Sequence, residues 1–427
     1  MAEILITNAR IFDGSGSQPF NGDVQIKGNR IAMVKRAGTA SNSYGDHQVI
    51  DAAGAFLMPG MTEAHTHFGW NDQPTLSSIQ MMPPEEHILW CVRVAKRYLD
   101  MGWTSCVGAA AAKPRLDVVT RNAINSGEFP GPRFLAASQE IAHVGGLGDM
   151  TLPHLPFPEL SFATIVSGPE EMRKCVRTYV KYGVDQIKLN LSGEYITGLP
   201  AELTPFSEEE IAMAVSEAKR LGIRVAAHAR SSESVKQCVR HGIEVIYHAS
   251  FADDEALDML EANKEKHFFA PGLAWLINTC YNASEYGIST QVAEQMGYMR
   301  ELEAAIETMK KMHKRGIKIL PGGDYGFAWV PHGTNAKDLE YFVKYIGMSN
   351  MDALLSATKE GGKIMKRAHE LGQIKEGFLA DLVLIDGDPL ADITVLQKSE
   401  RILAVMKDGE FHKSPQVAEG AYGSGRG

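Results

Sequence analysis

The sequence predicts an α/β chain with a (β/α)8 TIM barrel in its middle and a small β-domain, read as a β-sandwich, built from both ends. Three observations predict it. Between residues 57 and 370, short apolar segments alternate with longer amphipathic ones, the texture of parallel strands joined by helical crossovers. Strand-like runs punctuated by Gly turns occupy both ends, and neither end is long enough to fold well alone. Titratable side chains fall where the central strands stop, the place where barrels carry their chemistry.

The N-terminal part, 1–56, holds apolar runs at 4–6, 24–26, 31–34 and 49–50, separated by Asp13-Gly14, Gly28-Asn29 and Gly54. The C-terminal part, 371–415, repeats the pattern at 380–385 and 402–406, each followed by an Asp-Gly turn. These two parts are expected to pair. Residues 416–427 are read as a disordered tail, Gly/Ser-rich at its end. In the centre, strands are expected at 57–62, 105–108, 134–137, 186–189, 224–227, 245–247, 268–270 and 317–320, with helices at 85–101, 170–182, 208–221, 231–241 and 297–315. An open doubly wound sheet is the alternative architecture, but no Gly-x-Gly-x-x-Gly follows the first strand.

With 427 residues, 44% hydrophobic and 22% charged, the chain has an ordinary globular composition and enough length for a large core. A formal net charge of -9, with no Lys/Arg-rich block, argues against a nucleic-acid partner or an anionic membrane surface. A small molecule is the expected partner. The five cysteines show no Cys-x-x-Cys spacing, which fits a reducing compartment. The N-terminus lacks the basic and long apolar regions of a signal peptide, and no run approaches the roughly 18 apolar residues of a membrane span. A cytoplasmic location is expected.

His65 and His67, in Ala64-His65-Thr66-His67, stand one residue apart after the first central strand. Side chains on a strand repeat with period two, so both imidazoles can face one side. Strand-end reading adds Lys188, His228, His248 and Asp324. Each has a bland alternative: Lys188 as a salt-bridged lysine, His228 and His248 as satisfied core histidines, Asp324 as a helix N-cap. Taken together on five strands, the six read as a metal site.

Those residues resemble the amidohydrolase superfamily. The likeness spans the whole chain: Pro59-Gly60 through His67, Lys188 with Ser192-Gly193, Ala227-His228, Tyr247-His248, Gly322-Gly323-Asp324, and the closing run from Gly372 to Val383. The resemblance implies a distorted barrel holding divalent metal at its mouth. His65, His67 and Asp324 would hold the more buried ion, and His228 and His248 the more exposed one. Lys188 would carry a CO2-derived carbamate bridging both, which points to the binuclear branch. Such ligands suit Zn²⁺, with Mn²⁺, Co²⁺ and Fe²⁺ as alternatives. Homo-oligomers are common among relatives, and one is expected here.

Within the superfamily the chain looks most like Xaa-Pro and Xaa-Arg dipeptidase-type hydrolases and ochratoxin-degrading amidases, on Asp185-x-Ile187-Lys188 and Gly323-Asp324-Tyr325-Gly326. Phenylurea and thiocarbamate hydrolases are also similar. Two loops depart from the dipeptidase pattern: Glu194-Tyr195 follows Gly193 where a Ser-Gly-Gly loop is usual, and residues 141–146 stand where relatives often carry Gly-His-Gly.

The expected reaction is hydrolysis of an amide C-N bond in an N-acyl amino acid or aryl amide such as an ochratoxin-like molecule. A metal-bound hydroxide would attack, with Asp324 as general base and then acid. Phenylurea, carbamate or cyclic-amide hydrolysis is the alternative chemistry, and a metal-free scaffold barrel the non-enzyme one. His143, Tyr195, Trp70, Trp329 and His332 are the candidate substrate contacts. For His143 a surface-loop role, for Tyr195 loop packing, and for His332 capping of a helix near Asn335 are the competing readings.

Overall fold

A computed structural model describes residues 3–38, 48–155 and 157–415. The expected disordered tail, 416–427, lies outside the described residues. The chain divides into two compact units. One comprises residues up to Thr62, 98–104 and from Asn350 onward; the other comprises Glu63–Arg97 and Ser105–Ser349.

The first unit holds an eight-stranded sheet to which both ends of the chain contribute. Strand Glu3–Ile11 pairs antiparallel with Phe20–Lys27 and parallel with Phe56–Pro59, which in turn pairs antiparallel with Leu382–Ile385. Val24 and Ile26, Leu382 and Leu384, and Ala404 and Met406 alternate along their strands into one buried cluster with Ile4 and Ile6.

The second unit is mixed α/β with parallel strands. Gln186–Asn190, Arg224–Ala229, Val245–His248 and Phe268–Ala270 form consecutive parallel pairs, and Ala137–His143 pairs parallel with Gln186–Asn190. Together with Thr164–Val166 these make a six-stranded sheet. Met61–Thr66, Trp103–Gly108 and Arg133–Leu135 make a three-stranded one. All residues of Gln186–Asn190 and Arg224–Ala229 are buried, as expected of strands covered on both faces. Backbone bonds run beyond the named strands: Ala111 N–H donates to the Ser138 carbonyl at 2.9 Å, Leu320 N–H to Phe269 at 2.7 Å, and Ala64 N–H to Pro321 at 2.8 Å.

Three expected strands differ, one of them the run at 134–137, which divides between Arg133–Leu135 and Ala137–His143 in different sheets. The run expected as one strand at 57–62 splits, with Phe56–Pro59 joining the terminal sheet and Met61–Thr66 carrying His65. The 317–320 strand reduces to a single parallel bridge between Ile319 and Phe269. Phe269 makes both cross-strand bonds, donating to the Lys318 carbonyl at 3.2 Å and accepting from Leu320 N–H at 2.7 Å, while Ile317 N–H turns back to Met312.

The crossover helices follow their local signals. Glu208–Arg220 opens with a capping box, in which Ser207 Oγ accepts from Glu210 N–H at 3.3 Å and the Glu210 carboxylate accepts from Ser207 N–H at 3.0 Å. Pro169–Tyr182 begins on proline and stops at Gly183, whose φ of 94° few other residues adopt. Among the described residues no helix is long and apolar enough to cross a membrane.

Candidate metal centre and active site

Met61–Thr66 is buried along its whole length, and the period-two rule brings the His65 and His67 rings to a centroid separation of 5.0 Å. His67 Nδ1 lies 3.0 Å from the Ala110 carbonyl. A carbonyl only accepts, so Nδ1 carries the proton and Nε2 keeps its lone pair. That Nε2 is buried without a hydrogen-bond partner. It stands 3.2 Å from Asp324 Oδ1, and His65 Nε2 stands 3.4 Å from the same oxygen. Asp324 Oδ1 is equally without a hydrogen bond. Ligand atoms of these three residues all lie within 4.8 Å of one another.

Asp324 and His248 reach the site through left-handed backbone, with φ of 64° and 74°. Non-glycine residues avoid that region, and where they occupy it the neighbouring structure enforces it. Two glycines make room. A Cβ on Gly322 would stand 2.6 Å from His65 Cβ, and one on Gly272 would stand 2.8 Å from His248 Nδ1.

A second histidine pair adjoins the first group. The His228 and His248 rings are 4.4 Å apart, and His65 is 5.3 Å from His248. His228 Nε2 donates to the Gly193 carbonyl at 3.0 Å, which leaves Nδ1 free to ligate. Lys188 is 1% exposed, its Nζ 4.0 Å from Glu140 Oε1 and 4.7 Å from the centre of the Tyr247 ring. All six residues line one cavity.

The electrostatics suit a cation. Burial drives His65, His228 and His248 well below the ordinary histidine pKa, so their rings are neutral at pH 7. Burial works to raise Asp324, but its polar surroundings, with Lys188 among them, prevail and hold it ionised below the usual carboxylate range. Burial also lowers Lys188 against the opposing pull of Glu140 and Asp324; only the neutral amine reacts with CO2. Neutral imidazoles, an ionised carboxylate and bare buried Nε2 and Oδ1 atoms are a donor set that fits divalent ions of the zinc type.

Trp70 lines the cavity and lies flat on His67, ring centres 3.5 Å apart at 3°. Phe162, Trp275 and Phe327 complete an aromatic wall. The other expected contacts sit differently. His143 ends strand Ala137–His143 and packs edge-on to Phe206, outside the cavity lining. Trp329 stands behind the wall, its Nε1 donating to Thr279 at 3.0 Å. Tyr195 donates to Glu202 at 3.0 Å, while its neighbours Glu194 and Ile196 face the cavity. The His332 ring is directed away, to Asp72 at 2.8 Å and the His67 carbonyl at 3.0 Å.

Sequence reading missed Glu140 and the charge cluster behind Glu194. Glu140 lines the cavity and accepts from Asn190 Nδ2 at 2.8 Å. Arg230, fully buried, contacts both Glu194 and Glu301, and Tyr298 donates to Glu194 at 2.6 Å. Glu140 lies on strand Ala137–His143, beyond the 134–137 segment that the sequence marks as a strand.

The amidohydrolase family model matches residues 56–411. Ochratoxinase of Aspergillus niger is 26% identical over 382 residues, covering 84% of this chain and 76% of that one. A solved Xaa-Pro dipeptidase with methionine in its active site superposes with a TM-score of 0.86 at 29% identity, over 97% of this chain and all of its own. Phenylurea hydrolase B shares the fold, with a TM-score of 0.75 at 21% identity over 96% of each chain. A match over most of the chain, on the segment that carries every candidate ligand, makes this protein a member of the amidohydrolase family.

Proposed function

We propose that this C-N bond hydrolase cleaves the amide of a small N-acyl amino acid or aryl amide at a two-metal centre. The observation that carries it is the convergence of His65, His67 and Asp324, with bare Nε2 and Oδ1 atoms, beside His228, His248 and Lys188 in one buried cavity. We read the two parallel sheets as parts of a distorted (β/α)8 barrel spanning about 57–370, supported by the backbone bonds that link Ser138 to Ala111 and Ala64 to Pro321. The flanking strands of both termini we read as a small β-sandwich.

His65, His67 and Asp324 would hold one ion, His228 and His248 the other, and carbamylated Lys188 would bridge them. Bound divalent metal would supply a water of lowered pKa and a polarised carbonyl. Asp324, ionised and fixed between two imidazoles, accepts the proton of the attacking water through its carboxylate. It then returns that proton to the leaving nitrogen, without which an amine leaves poorly. Trp70, Phe162, Trp275 and Phe327 present an apolar wall that excludes other water and accepts a ring.

That wall also favours a second reading, hydrolysis of aryl ureas or carbamates. A metal-free scaffold has no need of this intact donor set. The test is a hydrolysis screen of the metal-loaded protein against N-acyl amino acids, aryl amides, ureas, carbamates and cyclic amides. Turnover of acyclic amides supports the proposal, and activity confined to cyclic amides overturns it.

A further inference from the structure

His65, His67 and Asp324 converge from two segments far apart in sequence. Before the ligands, the segments are joined where Ala64 N–H donates to the Pro321 carbonyl at 2.8 Å. Beyond them a second link forms. Asp72 N–H donates to the Gly326 carbonyl at 2.8 Å, and a Cβ on Gly326 would stand 2.4 Å from Trp70 Cβ and 3.0 Å from His332 Cε1.

His332 completes this second link. Its buried ring spans two acceptors, with Nδ1 donating to Asp72 Oδ1 at 2.8 Å and Nε2 to the His67 carbonyl at 3.0 Å. The His332 N–H adds a bond to Asp72 Oδ1 at 3.0 Å, and Arg97 holds the other carboxylate oxygen at 3.1 Å. The His67 carbonyl also receives Trp70 N–H at 3.1 Å, so both its lone pairs are used. One side chain thus reaches from the Asp324 segment to the backbone of a ligand and to the aspartate that follows it.

These bonds oppose a repulsion. Asp324 Oδ1 stands 3.4 Å from His65 Nε2 and 3.2 Å from His67 Nε2, and lone pairs brought that close in a buried site push apart without a cation between them. If the two segments could spread, an arriving ion would have to draw them together again, and its affinity would fall by that cost.

We propose that His332, anchored by Asp72, is a positioning residue for the ion at His65, His67 and Asp324, holding its ligands together before the ion arrives. The inference rests on the two-metal reading above and assigns to His332 a part in it that touches neither metal nor substrate.

The test titrates Zn²⁺ into metal-stripped protein supplied with bicarbonate, followed by calorimetry and by tryptophan emission. Trp70, stacked on the His67 ring, reports the ion at that histidine. His332→Phe keeps a buried ring and removes both donors. It is expected to weaken the Trp70-reported step at least about tenfold, the lower end of what losing a ligand's hydrogen-bonded support costs. The step at His228 and His248 should keep its affinity. Asp72→Ala is expected to weaken the same step, and the double variant to lose little more than either single one, because the two side chains act as a unit. His332→Gln, whose amide can serve one acceptor at a time, should give a smaller weakening of that step. A purely structural role would lower the melting temperature and leave both steps of the folded protein unchanged. An unchanged Trp70-reported step in folded His332→Phe, or in His332→Gln should the first variant not fold, overturns the inference, as does equal weakening of both steps. A parent protein that takes up no Zn²⁺ removes the two-metal reading, and this one with it.

Discussion

His67 Nε2 stands 3.2 Å from Asp324 Oδ1, two buried atoms that hold no hydrogen bond and share one unfilled need. An imidazole lone pair and a carboxylate oxygen at that distance repel unless something positive lies beside both. The proposed function answers this with a metal ion, and several consequences can be measured.

Asp324→Asn keeps the shape and an amide oxygen for ligation but cannot shuttle a proton. The variant is expected to retain bound metal and to lose about 10²- to 10⁴-fold in kcat, the usual worth of a positioned acid/base group. Metal analysis alongside steady-state kinetics reads both, and near-normal turnover would remove Asp324 from the proton path.

Trp70 lies face to face with His67 at 3.5 Å, so a cation on the far nitrogen of that imidazole perturbs the indole. Titrating Zn²⁺ into metal-stripped protein is expected to change tryptophan emission saturably. Trp70→Phe should abolish most of the change while the protein still takes up metal; an undiminished signal would place the reporter elsewhere.

Gly272 has φ of 63° and would carry any Cβ to 2.8 Å from His248 Nδ1. Gly272→Ala is therefore expected to displace that ring, weakening uptake of the second ion at least about tenfold, the lower end of what disturbing a ligand's support costs. Calorimetric metal titration should show one step lost and the other kept. Two unchanged steps would contradict the assignment of His248.

Asp338 is buried and accepts from Gly322 N–H at 2.7 Å. Burial, reinforced by the Asp324 charge, pushes its carboxyl up to about 7 despite that hydrogen bond. Between the ordinary value near 3.8 and 7, the folded state holds a proton that the unfolded chain has released. Stability from this group is therefore complete at low pH and lost as pH rises through that window. Relative to Asp338→Asn, whose amide oxygen can still accept from Gly322, the parent should lose at most about 1.4 kcal/mol per pH unit there. Denaturant melts at pH 4 to 8 read the difference, and parallel curves would refute the raised carboxyl.

The sequence made the ligands legible because their placement needs only local rules. Period-two geometry aligns His65 with His67, and strand ends locate His228, His248 and Asp324 without knowledge of the packing. Residues whose role depends on distant partners were not legible. His332 turns to Asp72, 260 positions away, and Trp329 to Thr279; nothing near either in sequence foretells this. Glu140 was hidden by a strand boundary placed at 137 when the strand runs from Ala137 to His143. The 317–320 segment reads as a strand by composition, yet it meets its neighbour at a single bridge, Ile319 to Phe269.

The central claim is a two-metal site, and counting metal tests it most directly. Protein loaded with Zn²⁺ in the presence of bicarbonate, then freed of excess ion, should hold about two ions per chain, as a paired hydrolytic site requires, and Lys188→Ala should hold about one or fewer with loss of turnover. A parent protein that is fully active with a single ion, or that keeps both ions and its activity without Lys188, would contradict the account.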